Sequence, residues 1–116
     1  MVFNDKIREA CEALDWVCRV YGEYNESQKN RYVELENWSP AGEDLVITLG
    51  FDTFVEDLNA YAEAFDPDEH ITMWVMAKAG GGEGVPSVRR LAVDAEDIED
   101  MLDQLAMNVA IAAQEA

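Results

Sequence analysis

Residues 32 to 77 constrain this chain more than any other stretch. They read as strand, turn, strand, helix and strand: YVELENW, SPAGED, LVITLGF, DTFVEDLNAYAEAF, DPDEH and ITMWVMA. Val33 and Leu35 alternate with Glu34 and Glu36, the period-two pattern of a strand with one wet face. Ser39-Pro40-Ala41-Gly42 is turn chemistry, because Pro presets one turn dihedral and Gly accepts positive φ. Leu45 to Phe51 is a continuous β-rich run and reads as a central strand. The two runs are close enough to pair as an antiparallel hairpin. Asp52 or Thr53 then caps a helix, with Glu56 three residues after Thr53 as in a capping box. Its apolar face is Phe54, Val55, Leu58, Tyr61, Ala62 and Phe65. Asp66-Pro67 stops it, because the residue before Pro avoids the helical region. Ile71, Met73 and Val75 alternate with Thr72, Trp74 and Met76, which predicts a third strand.

The flanks read as helices. Asn4 or Asp5 caps a first one, in which Phe3, Ile7, Cys11, Leu14, Val17, Cys18 and Tyr21 share a face. It is expected to end between Gly22 and Asn25. Cys11 and Cys18 would then lie two turns apart, about 10 Å, which is too far for a disulfide. Pro86 opens a short helical piece, and Asp94 caps a last helix whose stripe is Ile98, Met101, Leu102, Leu105, Val109 and Ala112. The order α-β-β-α-β-α predicts a single α+β domain over residues 1–116. It is a two-layer sandwich with a three-stranded, mainly antiparallel sheet and helices packed on it.

Charge restricts the function classes. Twenty-five acids against eight Lys and Arg give a formal charge of −17, so nucleic-acid phosphates and anionic lipid are repelled. No apolar run reaches membrane-spanning length, and MVFNDKIREACEALDW lacks the order of a signal peptide, so a cytoplasmic protein is expected. The glycine-rich AGGGEG has Glu83 among its glycines and no following Lys, unlike a phosphate-binding loop. Asp66, Asp68, Glu69 and His70 lack the central Gly of a calcium loop and the extra His or Cys of a zinc site. Ser27, Ser39 and Ser87 have no nucleophile context, and Arg89-Arg90 reads as ion-paired with nearby acids. No enzyme, metal or cofactor is expected.

The carboxylates themselves are the candidate site. Glu96, Glu99, Asp100 and Asp103 lie on adjoining turns of the last helix. The middle helix adds Asp52, Glu56, Asp57 and Glu63, and the hairpin adds Glu34, Glu36, Glu43 and Asp44. Carboxylates held at phosphate-like intervals on rigid elements imitate DNA and suit the groove of a basic nucleic-acid-processing protein. The runs VELENWSPAGEDLVITL, FDPDEHITMW and GVPSVRRLAVDAEDIEDML, within residues 33–102, resemble a family of small acidic proteins encoded on mobile elements and phages of gut bacteria. The resemblance implies no activity or site residue. Its setting is similar to that of antirestriction and anti-CRISPR proteins, several of which are acidic DNA mimics. Arg8, Arg19 and Lys29 on the first helix would mark that helix as another face.

The expected function is therefore an acidic inhibitor that blocks a host restriction enzyme or CRISPR effector. An interaction or oligomerisation module is the alternative, with an apolar patch at Met107, Ala110 and Ile111 and acidity serving solubility. A homodimer is compatible with it. Adaptation to a saline cytoplasm is a third reading.

Overall fold

The computed structural model describes residues 1–22, 31–77 and 88–114, with the side chains of 73–77 and 88–89 outside the description. Expectations for the connector 26–30, the loop 79–84, Pro86, Ser87, Arg89, Trp74 and the inward faces of Met73 and Val75 fall outside it too.

Helix α1 (Asp5–Glu12) begins as its sequence requires: Asn4 Oδ1 accepts from the Ile7 N–H at 3.0 Å. It is shorter than expected. The N–H of Trp16 bonds the Cys11 carbonyl, the N–H of Asp15 bonds that of Glu12, and Asp15 takes φ +68°. This is a Schellman ending, with Asp15 in the position glycine usually fills and buried Trp16 folding back beside Cys11. The chain reverses and Val17–Tyr21 becomes strand β1. The apolar positions of VCRVY fit both periods, and β-branched and aromatic side chains at Val17, Val20 and Tyr21 favour the pleated one. Arg19 is thus a strand residue rather than a helical one. Cys11 and Cys18 are close neighbours on adjacent elements, both as free thiols. Their interaction, together with burial, pushes the Cys11 thiol up, and the same interaction holds the Cys18 thiol below its usual range.

Strands β2 (Tyr32–Trp38) and β3 (Asp44–Gly50) form the expected antiparallel hairpin, closed by the Ser39–Glu43 turn with Gly42 at φ +89°. β1 pairs antiparallel with the other side of β2, so the order is β1-β2-β3. β3 is therefore an edge, and β2 is central. Register aligns Cys18 with Leu35 and Ile47, and Val20 with Val33 and Leu49, all on one face.

Helix α2 (Phe54–Ala64) follows, but not with a capping box. Thr53 makes no side-chain cap; its hydroxyl donates to Asp57 Oδ2 at 2.8 Å, and Glu56 turns to the N-terminal ammonium of Met1. The expected third strand at residues 71–76 is instead helix α3 (Pro67–Ala77). Asp66 Oδ1 accepts from the Asp68 and Glu69 N–H groups, Pro67 sits at the first helical position, and the acids suit the helix dipole. The same Asp-Pro that ends one helix opens the next.

Helix α4 (Val88–Gln114) is continuous, so Asp94 lies inside it rather than capping it. No Gly or Pro interrupts residues 88–114. The helix meets α1, α2 and α3, and its inward residues Ile98, Leu102, Leu105 and Val109 join Ile7, Phe54, Leu58, Val33 and Leu35 in one core. The Asn108 amide also donates to the Ala10 carbonyl at 2.8 Å, tying the helix to α1. The fold is α+β, a three-stranded antiparallel sheet with helices packed on it, in the order α-β-β-β-α-α-α.

Candidate acidic interface

The sheet alternates, so the face opposite the core has its own side chains. Its rows are Trp38–Asp44, then Val17–Glu36–Val46, then Arg19–Glu34–Thr48, then Tyr21–Tyr32–Gly50. Val17, Tyr21, Tyr32, Val46 and Trp38 are all exposed there, from 40% to 51%, values far outside those of core residues. Tyr21 and Tyr32 stack with ring centroids 5.3 Å apart. Arg19 bridges the centre: its Nη1 donates to Glu34 at 3.3 Å and its Nη2 to Glu36 at 3.0 Å. Asp44 adds a third carboxylate. Its pKa is raised by partial desolvation first, then by a hydrogen bond and repulsion from Glu36.

The twelve acids singled out in the sequence do not form one ridge. Glu34, Glu36 and Asp44 share the outer sheet face. Glu43 turns away from it and accepts from His70 Nε2 at 2.9 Å, pinning α3 to the hairpin. Asp57 is bound to its own junction, accepting from the Gly50 N–H at 2.9 Å and from Thr53. Glu56 is held by the N-terminus, which lowers its pKa by a hydrogen bond to the ammonium. Asp52 is half-buried and Glu63 exposed. On α4, Glu96, Asp100 and Asp103 are exposed and follow one outward line with Met107 and Ile111, while Glu99 is half-buried beside it. Seven residues of helix put Glu96 and Asp103 about 10 Å apart along the axis.

Sequence reasoning missed a second polar system. Asp94 is buried at 3% exposure: its Oδ2 accepts from the Ser39 hydroxyl at 2.8 Å and its Oδ1 from the Ala41 N–H at 2.9 Å. Ser39 Oγ in turn accepts from the Glu43 N–H at 3.0 Å. The Ser39 hydroxyl therefore anchors the hairpin turn to α4. Apart from this anchor, a cavity of about 170 Å³ lies between β3, α2, α3 and α4, with Tyr61, Phe65 and His70 in its lining. Burial, then the charge of Glu43, raises the Tyr61 phenol. A signal existed: Asp94 sits among Leu91, Ala95 and Ile98 at helical spacing, a carboxylate on an apolar stripe.

Among the described residues, no three His, Cys, Asp or Glu side chains gather as metal ligands, and no helix is long and apolar enough to cross a membrane. No family model, curated protein or solved structure matches this chain.

Proposed function

We propose that this protein is an acidic inhibitor that mimics the charge of DNA and occupies the nucleic-acid-binding surface of a basic host defence protein, a restriction enzyme or a CRISPR effector. The observation behind this reading is the outward line of α4, where Glu96, Asp100 and Asp103 stand exposed on a helix without a base after Arg90. A net charge of −17 extends that field beyond the contact surface and steers a basic partner toward it. The resemblance of residues 33–102 to acidic mobile-element proteins belongs to the same proposal, as does action in the cytoplasm without catalysis.

The test is competition. At low salt the protein should displace duplex DNA from one of a panel of restriction endonucleases and CRISPR effectors, with the effect fading steeply as salt rises. If every member of the panel keeps its DNA at all protein concentrations, the reading fails. The module reading is favoured by Met107 and Ile111, exposed at 66% and 51% further along the same line. It predicts partner binding that salt leaves unchanged.

A further inference from the structure

On the outer sheet face the carboxylates lie among the exposed rings of Tyr21, Tyr32 and Trp38. Trp38 is the cross-strand partner of Asp44, and Glu36 and Val46 form the next row. The face already holds one guanidinium, since Arg19 bridges Glu34 and Glu36. Beyond Arg19, Asp44 stands beside the half-exposed Trp38 ring. A planar cation placed there would bond a carboxylate edge-on and stack on the indole, the pairing for which Arg is suited and Lys is not. Interfaces centre on Trp and Tyr anchors in just such a setting.

A second copy of this chain is a poor occupant. It would bring its own Glu34, Glu36 and Asp44 against these, with Arg19 the one base among the described residues of the face. The three acids and one base leave the face net negative, so its complement is basic.

We infer that the open sheet face is the contact surface of the inhibitor, where Trp38, Glu36 and Asp44 receive an arginine from the nucleic-acid-binding surface of the partner. The inference rests on the proposed function and names the face that performs it. The acids of α4 then act at a distance, raising the association rate, while the sheet face sets the dissociation rate.

The experiment titrates the ¹⁵N-labelled full chain at low salt with nona-arginine and, separately, nona-lysine. The expected result is resonance shifts at residues 17–21, 32–38 and 44–48, with nona-arginine binding more tightly. Trp38→Ala should weaken it about tenfold, the size of a modest anchor residue. Glu96→Gln/Asp100→Asn/Asp103→Asn should lower the on-rate and its salt dependence, and should change the off-rate less than Trp38→Ala does. Trp38 is a surface residue, and retained spectral dispersion will show that the variant is folded.

Shifts confined to α4 would overturn the sheet-face assignment and leave charge mimicry standing. No binding of either peptide would overturn both. Equal affinity for the two peptides, or shifts of the same resonances with protein concentration alone, would also overturn the assignment, the latter by giving the face to a second copy.

Discussion

Asp15 and Asp44 show how single residues carry local strain in this fold. Asp15 has a left-handed backbone, which an L side chain adopts at a cost and Gly adopts freely. Asp15→Val should therefore destabilise the protein by about 1–2 kcal/mol, whereas Asp15→Gly should match or exceed the parent, as read by urea unfolding. Asp44 titrates upward because ionisation is opposed by partial desolvation and by Glu36. A carboxyl raised in the folded state favours folding while protonated, and that advantage is lost as pH rises through its folded pKa. Asp44→Asn should accordingly be more stable than the parent at neutral pH. The difference should vanish as pH falls below the ordinary aspartate range, a trend that thermal melts at stepped pH will follow. Exposed carboxylates of this kind could be counted from the sequence, but their neighbours across the sheet could not. Glu36 and Asp44 are eight positions apart in the chain, and only the register of the hairpin brings them together.

At the scale of elements, the Asp94 anchor joins the hairpin turn to the helix behind it. Asp94→Ala would leave the Ser39 hydroxyl and the Ala41 N–H without their acceptor and should cost about 2–4 kcal/mol. Ser39→Ala should cost about 1–2 kcal/mol, and a double-mutant cycle in urea should show the two changes to be strongly non-additive. The hairpin and the stripes of α2 and α4 were legible in the sequence, because one period fits each of them: Val33, Leu35, Ile47 and Leu49 are buried, as are Phe54, Leu58, Ile98, Leu102 and Leu105. Two segments were not. Residues 71–76 are apolar at every position but Thr72, so alternation and helical spacing fit equally well, and the deciding signal was Asp66-Pro67 read as a start. Residues 17–21 continue a helical stripe by chance of spacing. The turn that breaks it rests on a left-handed Asp, which local composition does not announce. Three strands were expected and three exist, but one of them is built from a different segment, and with it moved the edge and the open face of the sheet.

For the whole molecule, self-repulsion at −17 opposes compactness at any salt concentration low enough to leave it unscreened. The screening length falls from ~30 Å in 10 mM salt to ~10 Å in 0.1 M. Raising sodium chloride across that range should stabilise the protein by about 1 kcal/mol and lift the melting temperature by about 4 °C, measured by circular dichroism. A much larger gain, with unfolding in dilute buffer, would favour the saline reading of its composition. The position of α4 has another consequence. Its inward stripe covers α1, α2 and α3 and completes the core under the sheet, yet it is made after all of them. During synthesis, at ~5–20 residues per second, the hairpin emerges early with Val33, Leu35, Ile47 and Leu49 bare on one side. Helices α1 and α2 flank the hairpin in the chain and can pack on the strands first, so the surface that waits some sixty residues for its partner is the one these helices turn toward α4.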